Sequence, residues 1–114
     1  MCNGIRLEDE ITVVNTRSIC GAGNADLMRN GLKFETYAVC DEAGARRWQQ
    51  SDLDSFLSFD PSVPTIIFIH GNQITPGDAR SEGLFVYRRI ILHGPDAPRL
   101  RFVIYSWPSS KVGG

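Results

Sequence analysis

The sequence predicts an α/β domain: a partial sheet in which an N-terminal antiparallel strand pair precedes a parallel strand–helix–strand unit. Three observations carry this. Thr65 to Ile69 and Phe102 to Tyr105 are apolar runs without polar alternation, as expected of strands covered on both faces. Between them lies a stretch with helical apolar spacing, so the order is that of one right-handed crossover of a parallel sheet. Upstream, Ile11 to Thr16 is rich in β-branched residues and Leu32 to Cys40 alternates, which suits an antiparallel pair with one wetter face.

Residues 1–10 are polar and read as a loose N-terminus. Residues 11–62 hold the first strands, a loop and a short helix. The loop begins after Thr16-Arg17-Ser18 and runs through Gly21, Gly23 and Asn24 to Gly31, with one helical turn over Ala25 to Arg29. Gly21-Ala22-Gly23 lacks the third glycine, the Lys-Ser/Thr and the long helix of a phosphate loop. Leu32, Phe34, Thr36, Ala38 and Cys40 share one side of an edge or near-edge strand. Asp41 to Gln50 is charged, with Trp48 its only large apolar anchor. Ser51-Asp52-Leu53-Asp54 has the pattern of a capping box with Ser51 as N-cap. A short helix through Leu53, Phe56 and Leu57 follows, stopped by Asp60-Pro61.

Residues 63–114 carry the central features. Pro64 opens the strand where a missing N–H does least harm. His70-Gly71-Asn72-Gln73 then occupy its carboxyl end, where open α/β sheets bind ligands. Thr75-Pro76-Gly77-Asp78 starts a second helix, with a hydroxyl cap, proline at the first position and an early acid. It runs to about Leu92, with Leu84, Phe85, Tyr87, Ile90, Ile91 and Leu92 as its apolar stripe and His93-Gly94-Pro95 as its end. The last strand closes on Ser106-Trp107-Pro108-Ser109. The chain then stops at Gly113-Gly114, in what should be the loop entering another helix, so the 114 residues are expected to be one incomplete domain.

Composition narrows the function. A hydrophobic content of 42%, a charged content of 22% and a net charge of −1 are ordinary for a globular chain and give no electrostatic footprint for nucleic acid or an anionic membrane. No apolar stretch approaches the roughly 20 residues of a membrane span, and no leader pattern opens the chain, so a cytoplasmic location is expected. Cys2, Cys20 and Cys40 are widely spaced, without the close pairs of a zinc site. They read as buried or half-buried free thiols rather than a Cys20–Cys40 contact or a reactive thiol. No cofactor or metal is implied.

Ile66-Ile67-Phe68-Ile69-His70-Gly71-Asn72 together with Phe102-Val103-Ile104-Tyr105-Ser106-Trp107-Pro108-Ser109 resembles the α/β-hydrolase superfamily. More narrowly, the chain looks like the bacterial esterase/lipase-like hydrolases that pair "strand–His-Gly" with "strand–Ser-Trp-Pro-Ser". Val13-Val14-Asn15-Thr16-Arg17 is similar to the "strand–Thr-Arg" segment that opens such domains. The resemblance touches roughly residues 11–19 and 63–112. It implies that the turn after His70-Gly71 carries part of an oxyanion hole, with the N–H of Asn72, and Gln73 second, directed at the carbonyl oxygen of an ester-like substrate. His70 then supports the turn and is not the base. Gly71 lets the backbone approach that substrate.

The resemblance also shows what is missing. The family nucleophile lies in G-x-S-x-G, followed by an acid and a histidine, and these 114 residues hold no such motif. Ser106, Ser109 and Ser110 lack the flanking glycines, and His93 precedes them. No catalytic nucleophile, acid or base is therefore assigned, and the chain alone is expected to be inactive. Arg17 is read as a loop tether, and Trp48 and Trp107 as packing anchors. Two readings stand: the N-terminal part of a serine hydrolase acting on an ester, lipid or amide, or a non-catalytic α/β remnant that binds a partner. In the second, Phe102 to Tyr105 would offer an open apolar edge for self-association.

Overall fold

The computed structural model describes residues 4–16, 31–71 and 75–107. Its elements are β1 (Glu10–Asn15), β2 (Lys33–Val39), β3 (Arg46–Ser51), α1 (Leu53–Leu57), β4 (Thr65–Ile69), α2 (Pro76–His93) and β5 (Arg101–Ser106). The strands form one mixed sheet in the order β3-β2-β1-β5-β4. β1 pairs antiparallel with β2 and parallel with β5, and β4 is parallel to β5. The α/β class, the antiparallel start and the parallel strand–helix–strand unit are all present.

Register explains the core. Ile11 and Val13 lie opposite Phe102 and Ile104, and Ile66 and Phe68 extend the same face. Leu84, Tyr87 and Ile91 of α2 cover that face, recurring at helical spacing. Tyr87 meets Phe102 edge-on at 5.7 Å. α1 lies on the opposite face, where Phe56 tilts against Phe34 at 5.2 Å. The guanidinium of Arg101 stands 3.7 Å from the Phe56 ring centroid and donates to the Phe56 carbonyl.

The structure corrects several expectations. β4 is an outer strand, whereas its apolar run suggested a central one. Ile67 and Ile69 are 61% and 62% exposed. The chain returns through α2 and inserts β5 between β1 and β4, so β5 becomes the doubly flanked strand. Among the described residues the outer strands are therefore β3 and β4, and Phe102 to Tyr105 is not at an edge. An apolar run reports that a strand tolerates burial; it does not report how many neighbours the strand has.

A strand also forms where only a charged segment was expected. β3 pairs with β2 over Arg46–Ser51, placing Trp48 opposite Tyr37 at 4.7 Å between rings. As an edge strand it keeps polar groups on both faces, which hides its periodicity. Ser51 belongs to this strand, and the α1 cap is Asp52, whose carboxylate accepts from the Ser55 N–H. On α2 the Thr75 cap stands as expected, its hydroxyl accepting from the Asp78 N–H, but Phe85 and Leu92 of the stripe face solvent. Cys40 is an exposed free thiol rather than a buried one. Cys2, Cys20, Arg17 and the Ala25 to Arg29 turn lie outside the described residues.

The N-terminus is packed from Gly4 onward, not loose. Ile5 is fully buried and Asp9 nearly so. The Asp9 carboxylate accepts from Arg6 at 2.7 and 3.0 Å, from the Tyr87 hydroxyl at 2.5 Å and from the Leu100 N–H at 3.0 Å. Arg6 donates on to the carbonyls of Ala97 and Pro98. A polar stretch can thus be interior when its charges satisfy one another.

Candidate functional site

β1, β5 and β4 run parallel side by side, so their carboxyl ends form one rim. The three stretches that stand out in the sequence meet there. Thr16 follows β1, Ser106-Trp107 closes β5, and His70-Gly71 closes β4.

Hydrogen bonds tie these ends together. The Thr16 N–H donates to the Ser106 carbonyl at 3.0 Å, and the Thr16 hydroxyl donates to the Tyr105 hydroxyl at 3.2 Å. The backbone N–H of Trp107 donates to His70 Nε2 at 3.1 Å, and its indole Nε1–H donates to the His70 carbonyl at 3.0 Å. The two rings lie within 4° of parallel, centroids 5.4 Å apart. His70 is 3% exposed. Its Nδ1 lies 2.7 Å from the carbonyl oxygen of Gly71.

Gly71 itself is exposed, and a Cβ placed there meets nothing within 4 Å. Nothing among the described residues therefore demands glycine at 71; the room is kept on the solvent side. Asn72 and Gln73 lie outside the described residues. α2 begins just beyond them, from its Thr75 cap.

Two other sequence candidates are placed clearly. Ser106 is 1% exposed at the end of β5, which does not suit an attacking nucleophile. His93 is exposed at the far end of α2, an 18-residue helix and so about 27 Å long, so it cannot serve as base to Ser106. Ser109 and Ser110 lie outside the described residues. Among the described residues no group of three or more His, Cys, Asp or Glu side chains could hold a metal, and no helix is long and apolar enough to cross a membrane.

Sequence reasoning missed the part played by Trp107, which donates two hydrogen bonds to His70 as well as packing against it. The available signal was the co-occurrence of His-Gly and Ser-Trp-Pro at two strand ends, which suggests proximity but not who donates to whom. A cavity of ≈ 350 Å³ lies elsewhere, lined by Gly4, Arg6, Arg88, Ile91, Leu92 and Pro95. Its lining comes from the segment before β1, the last turns of α2 and the loop that follows it. Compared with models of known families, with curated proteins and with solved structures, the chain has no significant match.

Proposed function

We propose that this chain forms the oxyanion side of a serine-hydrolase-like sheet acting on an ester, lipid or amide, with the nucleophile, acid and base supplied by sequence outside these residues. The observation that supports this most is the Gly71 carbonyl turned back onto His70 at 2.7 Å on an exposed rim. The oxyanion donor of this reading is the backbone amide that follows Gly71. A donor of this kind, fixed before charge develops on a carbonyl oxygen, is worth about 10²–10³ in rate in other enzymes. The open backbone edge of β4 beside it suits a further strand carrying the nucleophile.

The isolated chain is expected to give no turnover of p-nitrophenyl butyrate and no label from a serine-directed phosphonate. The gene read past Gly114, in frame or after a single frameshift, is expected to encode G-x-S-x-G, then an acid and a histidine. Phosphonate-sensitive turnover by this chain, or a downstream sequence without that motif, overturns the reading.

The non-catalytic alternative is favoured by the same edge, since Ile67 and Ile69 expose apolar surface on a strand with no second neighbour among the described residues. If a second copy occupies that edge, light scattering shows a concentration-dependent dimer that Ile67→Lys abolishes without lowering the melting temperature. A monomer at all concentrations rules out self-association.

A further inference from the structure

We infer that His70 is held as its Nδ1–H tautomer by Trp107, and that this proton, donated to the Gly71 carbonyl, holds that carbonyl in place. Trp107 is then a positioning residue that acts on the rim through His70. The bearing of this on an oxyanion donor rests on the reading above; the tautomer does not.

The assignment follows from which atoms can donate. The partner of His70 Nε2 is a backbone N–H, 3.1 Å away, which can only give a hydrogen bond. Nε2 must therefore present its lone pair. A neutral imidazole carries one proton, so that proton is on Nδ1. The atom 2.7 Å from Nδ1 is the Gly71 carbonyl oxygen, which can only accept. The two contacts thus require the same tautomer independently. The alternative, Nε2–H, would set two donors against each other at Trp107 and two acceptors against each other at Gly71.

Trp107 contributes twice more. Its indole N–H donates to the His70 carbonyl, so Trp107 gives both hydrogen bonds and His70 accepts both, one on its ring and one on its backbone. The parallel rings restrain rotation of the imidazole about its Cβ–Cγ bond, which would otherwise put ring carbons where the two nitrogens stand. The outcome is a short relay from the end of β5 through a buried ring to the exposed Gly71 carbonyl. Gly71 has no side chain of its own to hold that carbonyl in place.

The experiment uses the whole chain with ¹⁵N-labelled histidine. His93→Gln leaves His70 as the sole imidazole, since the chain has two histidines. Long-range ¹H–¹⁵N correlation spectra of the neutral ring are expected to show a protonated Nδ1 and an unprotonated Nε2 in slow exchange. In the Trp107→Phe variant the backbone donor stays and the indole donor goes. Both contacts to the ring nitrogens remain there, so the Nδ1–H ring is expected to persist. An Nε2–H ring, or averaged shifts before any substitution, overturns the inference. An Nε2–H ring in Trp107→Phe, where the backbone donor remains, overturns it as well. Because no substrate enters the measurement, the tautomer can stand where the hydrolase reading falls, and can fail where the gene does encode a nucleophile.

Discussion

Gly83→Ala probes how α2 is seated on the sheet, and its effect can be worked from distances. Gly83 is buried where α2 crosses β5, and a Cβ built there would stand 2.3 Å from Cδ1 and 2.5 Å from Cγ1 of Ile104. Ile104 is fully buried between Val13 and Phe68 on neighbouring strands, so it has little room to retreat. Overpacking of a filled core costs about 1–3 kcal/mol. Alanine returns about 1 kcal/mol through its better helix propensity. With two atoms under 3.0 Å against an immobile neighbour, the upper part of the range applies. The expected net destabilisation is about 1–2 kcal/mol, or roughly 5–15 °C in melting temperature for a domain of this size. Thermal and urea unfolding followed by circular dichroism read it directly. The same substitution should change sign once the obstacle is removed. Ile104→Ala alone is expected to cost about 2–5 kcal/mol, and in that background Gly83→Ala should stabilise by about 1 kcal/mol. A Gly83→Ala protein that melts higher than its parent with Ile104 intact would refute the close approach of helix and strand.

Three further predictions concern buried charged and ionisable groups. Asp9→Asn should cost about 3 kcal/mol in urea unfolding, because the Asp9 side chain is 0% exposed and the Arg6 charge beside it would lose its counter-ion. Burial on its own would raise the Asp9 carboxyl, but the bonds from Arg6, Tyr87 and the Leu100 N–H, with the Arg6 charge, hold it below its ordinary value. Its contribution is therefore present above the unfolded carboxyl pKa of about 3.9 and lost as pH falls through the lower folded one. Burial, and then the bond to Asp9, push the Tyr87 hydroxyl up to about 12. That contribution is complete below the unfolded phenol pKa of about 10 and lost as pH rises towards 12. Stability against pH should show both arms, and Tyr87→Phe should remove the alkaline one. Arg101→Lys should cost about 1–2 kcal/mol by the same assay, since a lysine cannot both cover the Phe56 ring and reach its carbonyl.

How much was legible depends on whether the information was local. Thr75-Pro76-Gly77-Asp78 announces a helix start because a cap is a contact between residues three apart, and it is found as expected. The alternation of Leu32 to Cys40 gives β2 and its antiparallel pairing for the same kind of reason. β3 was hidden because a polar edge strand carries no burial pattern of its own; only its pairing with β2 defines it. The packed N-terminus was hidden because Arg6 and Asp9 look solvated until Tyr87 and Leu100, distant in sequence, arrive beside them. At the rim, residue types pointed to His70 and Gly71. The direction of each hydrogen bond to Trp107 came only from the folded chain.

The sequence by itself determined the secondary elements with strong periodicity or caps, their order, and the residues gathered at the strand ends. Tertiary structure decided which strand is interior, which edge is open, and which nitrogen of His70 carries its proton. These depend on neighbours brought from far along the chain. A side chain's polarity limits which partners it can accept but does not name the one that reaches it.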